Sequence, residues 1–430
     1  MLFKDITIVD EYFEIREHQY VGIRDDRIVY LSDKEPRKKF GDIYDGKNRL
    51  MIPSFYNEHS HLPMALLRGY GENLPLMEWL NGRIFPFEAK LRPNDMYYGA
   101  LFGAAECMRY GIGAVSEMYL DVGSDTRALI DSGLKANISQ CCICPEDADF
   151  SDLPVCKNTL NTIRKYHHTD GDRIRVEFSL HAEYTSSEKI AKSLARVAKQ
   201  NDSSMHVHVS ETKGEVDACR ERHQGRTPVR YLADCGIFDV PTVAAHCVHL
   251  DEEDFAILKE HNVTVASCPK SNAKLASGFC PDTDLLRAGV NIAIGTDSVA
   301  SNNNLNMVEE MRFFNLLHKA ISYDPTVLTP VETLYSATRA GALAQNRPDC
   351  GLIKEGFKAD LTVFDIGKIY MHPVHNLLNN LIYSADGADV VLTMVDGKIL
   401  YNDGNYPTLD IERILCECEK SRKRILGELS

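Results

Sequence analysis

Long apolar runs are missing from this chain. No stretch of about 18 uninterrupted apolar residues occurs, and such a stretch is what a membrane-spanning helix requires. Basic excess is missing too. With 48 Lys and Arg against 62 Asp and Glu, the formal net charge is −14, which argues against a nucleic-acid partner. There is one tryptophan, Trp79. Thirteen cysteines are present, yet they do not supply the two pairs at turn spacing that a thiolate zinc site needs. Even Cys141, Cys142 and Cys144, in ISQCCIC, crowd an apolar run. They read as reduced thiols used as small core residues, which places the protein in the cytoplasm. The opening MLFKDITIVDEYFEI is broken by Lys4, Asp5 and Asp10 and lacks the pattern of a signal peptide. Internal repeats, low-complexity tracts and flexible linkers are absent as well.

What is present fits a globular α/β protein. The chain has 430 residues, 44% hydrophobic and 26% charged, enough for one large domain and a smaller one. The N-terminal runs ITIVDE and YVGIRDDRIVYLSD predict strands, with Asp25-Asp26 as a hairpin turn. Residues 358–366 and 389–404 have the same character, with Asp396-Gly397 as a second turn. Residues 1–52 and 357–407 are therefore expected to form one small β-sandwich domain from both termini.

Between them, residues 53–356 alternate short β-rich runs with helical patterns. In SEKIAKSLARVAKQN, Ile190, Leu194 and Val197 recur at helical spacing behind Ser187, a residue suited to cap the helix. Eight strands, each followed by a helix or long loop, predict a (β/α)8 TIM-type barrel. Residues 408–430 read as an amphipathic helix that packs on the barrel or on a second copy of the chain.

In such a barrel, chemistry sits at the C-terminal ends of the strands. The strand before the first helix ends in His59 and His61, which face the same side of an extended chain. The fourth strand ends in His181, and the fifth, HVHVSE, carries His206, His208 and Glu211. The sixth ends near His246 and His249, and the eighth in Asp297 of GTDS. Each residue alone has an ordinary explanation. A histidine pair can be polar surface, and an aspartate before a helix can be its cap. Together, His59, His61, a histidine of the fifth strand and Asp297 supply the three or four N and O donors that one divalent ion needs. An ion so held lowers the pKa of a water ligand and makes it a nucleophile.

The order His-x-His, His-x-x-Glu, His, Asp resembles the amidohydrolase superfamily. It is closest to the cytosine deaminase and chlorohydrolase-type branch, and especially to 5'-methylthioadenosine/S-adenosylhomocysteine deaminases. The resemblance runs through NEHSHLPMALLRGYGENLPLMEWL, HVHVSETKGEV, AAHCVHLDEEDFAILKEHNVTVASCPKSNAKLASG, AIGTDSVASNNNLNMVEEMR and GLIKEGFKADLTVFD, nearly the whole chain. It implies a zinc-type site with one metal per subunit, held by His59, His61, His208 and Asp297. The strand-four lysine that bridges two metals in binuclear relatives is absent from RVEFSLHAEY.

The resemblance further implies hydrolytic deamination of an aromatic N-heterocycle. Asp297 would accept the proton of the attacking water, Glu211 would protonate the ring nitrogen and relay the proton to ammonia, and His246 would stabilise developing charge. Glu88, in IFPFEAKL, stands where nucleoside deaminases bind ribose hydroxyls, and His181 where they contact substrate. Trp79 is a candidate aromatic wall. Gln140 stands where these deaminases place an arginine. A glutamine cannot pair with the amino-acid carboxylate of S-adenosylhomocysteine. Adenosine, 5'-deoxyadenosine or methylthioadenosine is therefore the expected substrate. A guanine, pterin or s-triazine hydrolase is the alternative, and a non-catalytic ligand-binding or assembly relative is a distant one. Barrel relatives are commonly dimers or tetramers, so by analogy a homo-oligomer is one possible assembly, and the sequence does not fix the oligomeric state.

Overall fold

The computed structural model describes residues 1–429. Five strands open the chain: β1 (Leu2–Val9), β2 (Ile15–Arg24), β3 (Arg27–Ser32), β4 (Ile43–Asp45) and β5 (Arg49–Pro53). Eight more follow at the predicted positions: β6 (Phe55–Ser60), β7 (Ile112–Tyr119), β8 (Lys135–Cys142), β9 (Ile174–Leu180), β10 (Met205–Val209), β11 (Thr242–His246), β12 (Thr264–Ser267) and β13 (Asn291–Ile294). The last three are β14 (Leu361–Asp365), β15 (Val390–Val395) and β16 (Lys398–Asn402).

Strands β6 to β13 pair in sequence order, every neighbour parallel. Burial on both faces explains runs such as IGAVSEMY, which lack a clean polar alternation. The barrel closes where Asp297 bridges Ser60 and the Asp297 amide donates to the His59 carbonyl at 2.9 Å. Gly295 permits that closure. A Cβ there would lie 2.8 Å from the His59 Cβ and 2.9 Å from its amide nitrogen, closer than such atoms approach. Closure thus carries the last strand directly onto the histidine pair.

The strands from the two termini form one hydrogen-bonded ladder, in the order β16-β15-β14-β5-β1-β2-β3, with β4 on β1. Phe3, Ile8, Val21, Ile28, Leu361 and Leu392 share its buried apolar cluster. Both predicted hairpins form. Asp396 and Gly397 have φ of 47° and 72°, the paired positive values of a two-residue hairpin turn. Lys135 of β8, 2% exposed, reaches Asp360 and Asp396 at 2.6 Å each, tying the terminal sheet to the barrel.

The helix Glu188–Gln200 begins at Ser187, whose Oγ accepts from the Ile190 amide. The C-terminal helix Ile411–Leu429 packs on the outer barrel helix Pro93–Arg109, and Cys418 Sγ donates to the Tyr98 carbonyl at 3.4 Å. All thirteen cysteines are free, and most are buried. Among the described residues, no helix is long and apolar enough to cross a membrane.

Candidate active site

The strand ends place six predicted residues around one point. His61 follows β6, which carries His59. His208 lies on β10, with Glu211 just past its end. His246 ends β11, and Asp297 follows β13. One ligand atom each from His59, His61 and Asp297 lie within 4.8 Å of one another, and the same holds for His59, His208 and His246.

The hydrogen bonds around this group reveal its proton state. His61 Nδ1 donates to the Met118 carbonyl and His208 Nδ1 donates to the His181 carbonyl, the latter at 2.7 Å. A carbonyl only accepts, so both Nδ1 atoms carry the proton. In the neutral rings both Nε2 atoms are therefore bare, and they face each other at 3.4 Å. Burial lowers the pKa of both rings and keeps them neutral. His59 Nδ1 is held by His206 Nε2 at 2.9 Å, and its own Nε2 is buried without a hydrogen-bond partner. That Nε2 lies 3.6 Å from Asp297 Oδ1, and His61 Nε2 lies 3.4 Å from the same oxygen. Two bare imidazole nitrogens, the unpartnered Nε2 of His59 and a carboxylate oxygen converge. A buried acceptor left unsatisfied costs about 1–3 kcal/mol. A divalent cation satisfies all four donors at once, and the mixed N and O set suits zinc.

Asp297 is held for this task. Its Oδ2 accepts from Ser271 Oγ at 2.5 Å and Ser301 Oγ at 2.9 Å, while Oδ1 takes only the Ser298 amide and faces the histidines. His246 and Asp297 have φ of 74° and 57°, in the left-handed region that residues other than glycine enter less often.

Glu211 stands beside the cluster. Its Oε2 is 4.0 Å from His246 Nε2. Burial lifts the Glu211 pKa above the usual carboxylate value. The nearby His246 opposes that rise and the Asp297 charge adds to it. Burial disfavours the charged form of His246, but Glu211 and Asp297 outweigh it and hold that pKa above the ordinary value. The Asn272 carboxamide oxygen fixes the His246 Nδ1 at 2.9 Å, directing Nε2 inward.

Above this floor opens a cleft. Trp79 lines it while only 6% exposed, so the aromatic wall and the packed core are one residue. His181 lines it with a buried, unpartnered Nδ1. Glu88 lines it at the end of a short helical segment, Phe85–Glu88. Burial pushes the Glu88 carboxyl up to about 7, against the pull of a hydrogen bond from Tyr119. His206 supports His59, and His249 Nε2 meets the Ser277 carbonyl at 2.7 Å, away from the cluster.

Gln140 is not among the residues that line the cleft. Side-chain alternation along β8 turns Cys141, and beyond the strand Ile143, toward the cleft. Residues that sequence reasoning passed over include Tyr119 at the end of β7, Tyr184 after β9, and Ser271 and Asn272 after β12. Reading every strand end for hydrogen-bonding side chains, rather than for histidines and acids alone, would have found Tyr119.

The match to known proteins is extensive. Residues 50–400 match the model of the Amidohydrolase family. A 5-methylthioadenosine/S-adenosylhomocysteine deaminase of Thermoanaerobacter pseudethanolicus is 37% identical over 99% of both chains. One from Dictyoglomus thermophilum is 39% identical over 98% of this chain and 97% of its own. The crystal structure of an adenosine deaminase from Xanthomonas campestris with bound zinc superposes with a TM-score of 0.92 at 30% identity, covering 99% of this chain and 98% of that one. A parallel barrel with converging histidines and an aspartate, matched along nearly its whole length, places this chain in the amidohydrolase family.

Proposed function

We propose that the protein is a zinc-dependent hydrolytic deaminase of an adenosine-like nucleoside. It would replace the ring amino group with oxygen from water and release ammonia. The convergence of bare imidazole nitrogens on Asp297, with Glu211 alongside, carries this reading. His59, His61, His208 and Asp297 would hold one zinc ion, which when bound supplies water activation near neutral pH.

The chain's own groups then divide the proton work. Asp297 Oδ1, free of strong donors apart from one amide, accepts the proton of the attacking water. Glu211, whose pKa burial raises above the usual carboxylate value, delivers a proton to the ring nitrogen beside the amino-bearing carbon. His246 Nε2 faces the same region and stabilises charge as it develops. The His181 ring lines the cleft beside the substrate, and Trp79 supplies a flat apolar wall.

The nucleoside reading rests on Glu88, a carboxylate able to accept from ribose hydroxyls. The preference for a neutral 5' group, first suggested by Gln140, now rests on the cleft itself. No lysine or arginine lines it among the described residues, so an amino-acid carboxylate finds no ion-pair partner there.

Metal-loaded protein should be incubated with adenosine, 5'-deoxyadenosine, methylthioadenosine, S-adenosylhomocysteine, adenine, guanine and simple triazines, following ammonia and the adenine-to-hypoxanthine absorbance change. Nucleosides with neutral 5' groups are expected to lead. Turnover confined to ribose-free rings would instead identify a guanine or triazine hydrolase.

A pH dependence follows from Glu88. It accepts from hydroxyls best when ionised, and its carboxyl titrates near about 7, with Tyr119 and Cys141 the titratable groups facing it. The nucleoside KM is expected to rise as pH falls through about 7, about tenfold per unit once the acid form dominates. The KM of a ribose-free substrate should not follow that curve.

A further inference from the structure

Glu88 and the metal-binding histidines come from different parts of the chain, and one strand connects them. Along β7, the Met118 carbonyl accepts from His61 Nδ1, and the next residue, Tyr119, donates its phenol O–H to Glu88 Oε1 at 2.7 Å. Tyr119 is 3% exposed, lines the cleft, and supplies the one side-chain hydrogen bond to the Glu88 carboxylate among the described residues. Glu88 Oε2 makes no hydrogen bond and is not sealed away from the cleft. A carboxylate without such an anchor rotates among several orientations. One pinned through Oε1 presents Oε2 in a fixed direction, at a distance from His61 set by two adjacent residues of a rigid strand.

We propose that Tyr119 is a specificity-determining residue, positioning Glu88 so that its remaining acceptor sites meet the vicinal hydroxyls of a ribose. This rests on the nucleoside reading above and deepens it. Tyr119 acts through Glu88 and takes no part in the proton transfers. Its loss should therefore weaken ribose recognition without slowing chemistry on the ring. A 2'-deoxynucleoside lacks one of the two hydroxyls and gains less from the fixed geometry, so the ratio of the two substrates reports the role directly.

The test is steady-state kinetics of metal-loaded wild type, Tyr119→Phe, Glu88→Gln and the double variant, with adenosine and 2'-deoxyadenosine. Tyr119→Phe removes only an oxygen atom. It is expected to lower kcat/KM for adenosine about tenfold, the size expected when one hydrogen bond to a charged group is lost. The loss should appear in KM, with 2'-deoxyadenosine changed less than about threefold. Glu88→Gln should remove most of the ribose preference, and Tyr119→Phe should add nothing in that background.

Equal losses on both substrates, a loss in kcat, or additive effects in the double variant would overturn the assignment. Misfolding of Tyr119→Phe, seen as a lowered Tm with kcat reduced on both substrates, counts against it in the same way. Failure of the nucleoside reading looks different, because wild type itself would then act only on ribose-free rings. A wild-type preference for adenosine that Tyr119→Phe leaves intact would sink the role of Tyr119 alone.

Discussion

Glu211→Gln is expected to lower kcat about a thousandfold while leaving the bound metal in place. General acid-base catalysis by one positioned group contributes about 10²–10⁴ in rate, and a thousandfold corresponds to about 4 kcal/mol of barrier. Glutamine keeps the shape of the side chain but cannot shuttle a proton. The local fold should survive. The backbone at this point is gripped by Glu215, whose carboxylate takes the Ser210 amide at 2.9 Å and the Glu211 amide at 2.7 Å. The Glu211 side chain is not needed for either bond. Its carboxylate approaches the metal-binding group only through His246, at 4.0 Å. Metal analysis alongside kcat separates the outcomes. Loss of metal together with activity would make Glu211 a ligand and transfer the proton role elsewhere.

Removal of the metal should have the second large effect. Chelated protein is expected to lose more than about 99% of its activity and to regain it on addition of zinc. The physical reason lies in the facing Nε2 atoms of His61 and His208, 3.4 Å apart, and the orphaned Nε2 of His59. Without a cation these lone pairs repel one another in a buried space. With one, they and Asp297 become ligands. The ion should therefore stabilise the fold as well, by about 4 kcal/mol when free metal stands about a thousandfold above its Kd. Thermal unfolding of the apo and zinc-loaded forms checks this. Asp297→Ala should bind less metal and show a smaller difference in Tm. Equal Tm values and full activity after verified metal removal would refute the assignment of these four residues.

Much of this site was legible before any coordinates. His59 and His61 are two apart in an extended run, so their common direction follows from strand geometry. The eight barrel strands carry clustered β-branched and aliphatic residues between recognisable helices, and their order is their order in space. The role of His206 was less legible. In MHVHV, both histidines have the same spacing logic; the family resemblance chose His208 as ligand, and the hydrogen bond between His206 Nε2 and His59 Nδ1 shows what His206 does instead. The direction of the Gln140 side chain was hidden for a related reason. A one-residue difference in register turns a strand side chain to the opposite face, and no composition signal fixes register at the end of β8.

The sequence by itself determined the barrel, the two-terminus sheet and the candidate ligands, because periodicity and strand-end position are local properties of a chain. Tertiary structure alone decided which lone pairs meet. It brought Asp297 against His59 through a closure that Gly295 allows, and it set Tyr119 on Glu88 across 31 residues. It also left the cleft wall without a lysine or arginine among the described residues. Such contacts join side chains from separate elements, and their distances depend on how those elements pack.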